Sequence, residues 1–499
     1  MSAETQTSTA AVQTMDNASE PTSLLDRIVL EGNMAVEPSQ GGYARRLIGQ
    51  LASQILDEGM RASPDKGVVA MINERVAQID AILTDQLNAV MHDPAFQALE
   101  GSWRGLSDLV HGTETSARLK LRVLNVTKAE LLKDLESAVD YDMSVLFKKL
   151  YEEEYGTFGG APYSMLIGDY QFGRHPQDIA LLEGMSKVAA AAHAPFIAAA
   201  APSLFDLKSY TELGVPRDLS KTFESEELAP WRAFRETDDS RYVALVLPRY
   251  AARLPYGAKT QPVETFQFEE DVDGSDHNKY LWSNAAYQMG LRITNAFAQH
   301  SWPTAIRGVE GGGKVGGLAA HVFKTDEGDM ALKCPAEVAI TDRREKELSD
   351  MGFVALVSAK GENSATFFGS QTVNKPAMYS TDAANANAAL SSRLPYVMAA
   401  SRFAHYMKVM MRDKVGSFQS KEAISRYLND WISSFVLLNE SAPQEMKAKF
   451  PLSSARIDVT EVPGRPGTFR ATCFIKPHFQ MEEMTASMRL VADLPESAA

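Results

Sequence analysis

Ser164-Met165-Leu166-Ile167-Gly168-Asp169-Tyr170 opens the stretch that decides the fold, residues 158–205. It reads as a short, mostly apolar strand. Gly159-Gly160 precede it, and Gly173 and Pro176 follow, so it starts and stops abruptly. Ile179, Leu182, Met185, Ala189 and Ala192 then recur every three or four residues, which puts them on one face of a helix. Pro195 ends that helix. Phe196-Ile197-Ala198-Ala199-Ala200 is a second apolar segment, closed by Pro202. Strand, helix and strand in so short a span predict a βαβ crossover, and a parallel sheet must be covered on both faces.

N-terminal to this core, residues 1–21 are rich in Ser, Thr, Ala and Gln and are expected to be disordered. A short amphipathic helix is predicted at residues 23–31. Ser23 caps it, Gly32 stops it, and Leu24, Leu25 and Ile28 share one side. A helix of this length is marginal alone in water, so it is either docked on its own body or held out as a peptide ligand. Helices follow at residues 42–60 and 68–91. Another starts at Asp93-Pro94, and its stripe of Phe96, Leu99, Trp103, Leu106 and Val110 is expected to face the core. Arg104 and Asp108 are expected to pair on its outer face. Residues 119–126 read as a strand with interleaved basic residues, and Thr127 with Glu130 makes a capping box.

Further along, residues 242–247 and 351–357 read as buried strands, with 365–368 a partner of the latter. Helices are predicted at 280–299, 394–411 and 421–438. The end of the chain is β. Ile457 and Val459 alternate with polar neighbours, Pro463-Gly464 and Pro466-Gly467 turn the chain, and Phe469, Ala471, Cys473 and Ile475 alternate on the return. Met484, Ala486, Met488 and Leu490 give a third alternating run. A lone hairpin is marginal in water, and its edges must be covered by this chain or another one.

The chain has 499 residues, enough for two or three domains. Its net charge of -14 argues against a sequence-independent nucleic-acid binder, which needs a basic surface. Two distant cysteines, Cys334 and Cys473, offer neither a disulfide framework nor zinc spacing, which suits a reducing cytosol. The N-terminus has no signal-peptide pattern, and the most apolar tract, residues 188–201, is broken by His193 and Pro195. No membrane insertion and a cytoplasmic location are expected.

The glycine-rich loop at Gly311, Gly312, Gly313, Gly316 and Gly317 is the main enzyme alternative. Gly308 to Val315 nearly fits a phosphate-binding loop, yet Val315 stands where magnesium chemistry needs Ser or Thr. That loop would make the chain a cytosolic nucleotide-binding enzyme using Lys314. The histidines are scattered, with no metal-ligand spacing. No nucleophile elbow occurs, and Asp169 and Asp178 are a weak carboxylate pair. No catalytic residue, cofactor or metal is therefore assigned. A tethered helix and a terminal hairpin remain, both devices for joining chains.

Several motifs resemble one family. These are Leu99-Glu100-Gly101-Ser102-Trp103-Arg104-Gly105-Leu106, Gly160-Ala161-Pro162-Tyr163, Ile167-Gly168-Asp169-Tyr170, Ala192-His193-Ala194-Pro195-Phe196, Leu247-Pro248-Arg249, Arg253-Leu254-Pro255-Tyr256-Gly257, Arg402-Phe403-Ala404-His405-Tyr406 and Ile475-Lys476-Pro477-His478. Together they resemble the large subunit of the type VI secretion contractile sheath, the TssC/VipB family, from about residue 22 to 495. The resemblance implies an α/β fold, a mixed-sheet sheath core with a βαβ crossover, flanking helices and a C-terminal β-hairpin region. It implies a flexible arm at 1–60, a body at 61–375 and a C-terminal inter-subunit domain at 376–495. The implied partners are a small sheath subunit, an inner tube of hexameric rings, a baseplate and an AAA+ disassembly ATPase. By the same resemblance Leu24, Leu25 and Ile28 are the anchors that ATPase grips. Ile457, Val459, Phe469, Ala471, Cys473 and Ile475 then lie on strands shared between subunits.

Overall fold

The computed structural model describes Arg27, Val29 and residues 37–57, 68–264, 266–417, 420–464, 467–478 and 480. The chain divides into two compact units, Met1–Leu83 and Thr84–Ala499. The first holds helix α1 (Gly41–Asp57) and most of α2 (Val68–Met91). Val76 and Ile79 of α2 are exposed.

The second unit is α/β. Its six-stranded mixed sheet runs in the order β1 (Leu166–Phe172), β2 (Phe196–Ala200), β3 (Val243–Leu247), β9 (Phe353–Ser358), β10 (Ala365–Phe367) and β6 (Lys314–Val315). The first four are parallel, β10 runs antiparallel to them, and β6, antiparallel to β10, returns to their direction. The predicted crossover is present. Helix α5 (Pro176–Ala192) joins β1 to β2 and buries Ile179, Leu182, Met185, Ala189 and Ala192, the predicted face. His193 ends it in the left-handed region at φ 52°.

Period two explains the layers. Phe196, Ala198, Val243, Leu245, Phe353 and Ala355 point to one face, where α5, Trp231 and Phe205 cover them. Ile197, Ala244, Val246, Val354 and Leu356 point to the other, under α7 (Ala285–His300). Both faces are dry, so these strands are continuous apolar runs. Each large side chain buried there contributes roughly 1.5–3 kcal/mol.

A third cluster forms the C-terminal part. Helix α10 (Leu394–Asp413) and helix α11 (Lys421–Ser433) pack with Trp302 against a hairpin of β11 (Leu452–Glu461) and β12 (Phe469–Pro477). The stretch at 119–126, expected as a strand, belongs to no ladder among the described residues. The polar tract at 381–389 is helical, as Thr381 caps the helix Asp382–Ser391 by accepting from the Ala384 N–H. Among the described residues no helix is long and apolar enough to cross a membrane.

Candidate subunit interfaces

Helix α3 (Pro94–Gly112) begins as expected. The Asp93 carboxylate accepts from the N–H groups of Ala95 and Phe96 at 2.9 and 3.2 Å. Its buried face is not the expected one. Gly101, Gly105 and Leu109 are turned inward, while Leu99 is 56% and Trp103 66% exposed. A Cβ at Gly101 would stand 2.7 Å from the Trp282 carbonyl oxygen, and one at Gly105 2.3 Å from the Tyr287 ring. Ser283 Oγ donates to the Gly101 carbonyl at 2.8 Å. Small residues thus let α3 lie backbone-close on the following strand and helix. An amphipathic stripe says that a face needs a cover, not which chain supplies it.

The polar side of α3 is held by an ion network that joins two motifs distant in sequence. Glu100 accepts from Arg104 Nε at 2.7 Å and from Arg253 Nε at 2.8 Å. Arg253 also makes a two-pronged bond to Glu270 at 2.6 and 3.0 Å. Arg104 donates to Tyr256 Oη at 2.9 Å. Arg104 therefore pairs back to Glu100, and Asp108 instead accepts from Tyr250 Oη at 2.9 Å. Burial raises the Glu100 carboxyl, but the hydrogen bonds and charges of Arg253 and Arg104 outweigh it and hold it below the usual range. The buried Glu337 carboxylate behaves likewise. Burial raises it, and Arg249 (2.7 and 2.8 Å) and His277 (3.1 Å) bring it below the usual range.

The hairpin pairs in register, with Ile457 opposite Cys473 and Val459 opposite Ala471. Ile457, Val459, Phe469, Ala471, Cys473 and Ile475 all turn toward α11 and Phe403, inside the chain's own cluster. Burial there raises the Cys473 thiol to about 11. Asn429 of α11 holds both main-chain groups of Ile457. Cys473 opposite it therefore turns its own main-chain groups away from β11, as in a non-hydrogen-bonded antiparallel pair. Among the described residues β12 pairs only with β11, so its outer edge is open. The outward face carries Arg456 over the Phe474 ring at 5.0 Å.

Two family models match this chain. One, described as "EvpB/VC_A0108, tail sheath N-terminal domain", covers residues 73–374. The other, "EvpB/VC_A0108, tail sheath gpW/gp25-like domain", covers 383–494. The type VI secretion system sheath protein TssC1 of Pseudomonas aeruginosa is 49% identical over 450 residues, 90% of each chain. The chain belongs to the TssC/VipB sheath family. Among solved structures, the contracted sheath of an extracellular contractile injection system gives a TM-score of 0.35 at 8% identity, over 62% of this chain and 68% of that one. The baseplate of an anti-feeding prophage gives 0.31 at 10%, over 62% and 66%. Both scores are too low to bear on the fold.

The motifs of this TssC/VipB chain fall at structural joints. Phe403 stacks on Trp302 with ring centroids 4.4 Å apart. His405 donates from Nε2 to the Ala192 carbonyl at 2.9 Å, and burial lowers its pKa to about 4, so it is a neutral joint residue. The His478 N–H donates to the Pro451 carbonyl at 3.0 Å. Asp169 accepts from Ser102 and from Asn284, at 3.1 Å for the latter, whereas Asp178 accepts from the Gly173 N–H and Lys128 Nζ at 2.7 and 2.6 Å. The two carboxylates serve separate joints.

The glycine loop leads into a strand rather than a helix. Lys314 and Val315 form β6 against β10. Gly312 sits at φ 89°, where a Cβ would meet the Ala305 carbonyl oxygen at 2.2 Å, and a Cβ at Gly313 would stand 2.6 Å from the Phe367 carbonyl oxygen. Packing accounts for these two glycines. Lys314 Nζ reaches Glu362 at 3.7 Å. Among the described residues no cluster of His, Cys, Asp and Glu could hold a metal. The predicted anchors Leu24, Leu25 and Ile28 lie outside the described residues, as does the third alternating run at 484–490. Arg27 and Val29, between and beside those anchors, are helical, and Val29 is buried.

Proposed function

We propose that this chain is the large structural subunit of a type VI secretion contractile sheath, acting in the cytoplasm and not as an enzyme. In this reading it pairs with a small sheath subunit and polymerises on a baseplate around an inner tube of hexameric rings. Contraction drives that tube outward, and an AAA+ ATPase dismantles the spent sheath. The work comes from a switch between two packings of the same subunits, with no bond made or broken. The supporting observation is the 49% identity to a type VI sheath protein across 90% of both chains. The division into an arm at 1–60, a body at 61–375 and an inter-subunit domain at 376–495 is part of the proposal.

The open edge of β12 suits strand addition from a neighbouring subunit, which would keep a lattice connected while subunits rotate. Cys473→Pro tests this. Proline there removes an outward N–H without touching the β11 ladder. Tubes should fail to form while the folded pair of subunits still purifies. Tubes of normal length from the variant would refute the shared strand.

The short helix near residues 23–31 is proposed as the ATPase handle, with Leu24, Leu25 and Ile28 as anchors worth roughly 1–3 kcal/mol each. Leu24→Asp or Ile28→Asp should abolish ATPase capture in a pull-down and leave assembly intact. Undiminished capture would exclude the handle.

A further inference from the structure

The chain after Gln480, the last described residue, leaves the structure beside an unfilled groove. The Gln480 N–H donates to Tyr396 Oη at 3.2 Å, and its carboxamide donates to the Thr304 carbonyl at 3.0 Å. Pro303 and Met398, next to these two anchors in sequence, line a groove of about 980 Å³. Its walls are the outward stripe of α3 and residues 119–126. From Lys120 to Asn125 no main-chain N–H or C=O is hydrogen-bonded to the chain among the described residues. Leu99, Trp103 and Val123 are exposed. Free backbone groups beside exposed apolar side chains make a template for an added strand.

Reach, pattern and charge all fit the segment that follows Gln480. Ten extended residues span about 33 Å. The helical stripe from Leu99 to Val110 is about 16 Å long. Within that reach Met484, Ala486, Met488 and Leu490 alternate with Thr485, Ser487 and Arg489, which gives an extended chain one apolar face. Residues 481–499 carry Glu482, Glu483, Asp493 and Glu496 against Arg489 alone. The groove presents the opposite sign, with Arg118, Lys120, Arg122 and Arg402. Its carboxylate, Asp169, is engaged by Ser102 and Asn284. Arg122 is paired with Glu154, but Arg118 and Lys120 are in no ion pair among the described residues. Arg402 Nε is buried with no hydrogen-bond partner, a donor that lacks its acceptor.

We infer that, in the chain before it assembles, residues 484–490 lie along residues 120–125 as an added strand and cover the apolar stripe of α3. The chain thus shields its own exposed face. The inference concerns the unassembled chain and rests on none of the partners proposed above.

Amide hydrogen exchange on the full chain expressed alone tests it, against the chain lacking residues 481–499. Residues 120–125 should exchange at least about tenfold more slowly in the full chain than in the shortened one. Glu482→Lys with Glu483→Lys should remove much of that difference, and the difference should not change with protein concentration. Equal exchange at 120–125 in the two chains would overturn the inference. Protection that grows with concentration would also overturn it, since a second copy would then fill the groove. So would a deletion that frees the amides of residues 470–476 instead, since the segment would then cover the β12 edge. Protection at 120–125 that arises only when the small sheath subunit is added would equally overturn it.

Discussion

Asn429 secures the β11 edge of the C-terminal hairpin at one residue, donating to the Ile457 carbonyl at 2.7 Å and accepting from the Ile457 N–H at 2.9 Å. A carboxamide here does the work of a neighbouring strand. Asn429→Ala would leave a buried N–H and C=O without partners, at a cost of about 1–3 kcal/mol. The midpoint of urea unfolding should fall accordingly. An unchanged midpoint would mean that water or another group replaces the carboxamide.

The Arg253 network carries a larger penalty. Glu270 is almost fully buried, and Arg253 supplies its two-pronged partner. Arg253→Met should destabilise by about 3–5 kcal/mol, because it strands a buried charge. Adding Glu270→Gln in the same chain should recover part of that loss. Thermal unfolding of the two variants checks both the size and the recovery.

Acid should loosen the seat of α3. The Glu100 and Glu337 carboxyls are held below the usual range in the folded chain. A depressed folded pKa gives stability that is present above the unfolded value, about 4.3, and lost as pH falls through the folded one. Unfolding midpoints should be level near neutrality and drop below about pH 5. Glu100→Gln should blunt the acid-side drop, and a drop of the same depth would assign it to other groups.

Gly101→Ala separates helix propensity from packing. On an exposed helix the change would stabilise by about 1 kcal/mol. Here the added Cβ would press a main-chain oxygen at 2.7 Å, and the backbone of Trp282 cannot swing aside. Overpacking of this kind costs about 1–3 kcal/mol, so the net change should be destabilising. A more stable variant would show that α3 can shift.

Lys314→Ala bears on the enzyme alternative. Lys314 is half-exposed, pairs loosely with Glu362 and begins an edge strand. Its loss should move stability by no more than about 0.5 kcal/mol. Titration with a fluorescent ATP analogue should show no binding to the wild type. Binding that Lys314→Ala removes would restore the nucleotide reading.

How far the sequence could be read depended on where each side chain finds its cover. The βαβ core was legible because β2 is buried on both faces by this chain, leaving an unbroken apolar run, and because glycine and proline stops set off the partly buried edge strand β1. β9 and its antiparallel partner β10 were legible for the same reason. Helix α3 was legible as a helix, but its buried side was not. The stripe from Phe96 to Val110 out-signals Gly101 and Gly105, although the four-residue glycine spacing was the available clue to a close backbone approach. The run at 119–126 has a strand's pattern and no strand partner among the described residues. The Arg253–Glu100–Glu270 cluster was hidden because its members lie far apart in sequence. Motif residues such as His405 and Phe403 could be named by resemblance, but their places at joints needed the folded chain.

Negative-stain electron microscopy of this chain, expressed alone and with its small sheath subunit, tests the central claim most directly. The sheath reading predicts tubes with cogwheel-like cross-sections in the co-expressed sample and none from the chain alone. Small, well-behaved oligomers in both samples, with no tubes, would contradict it.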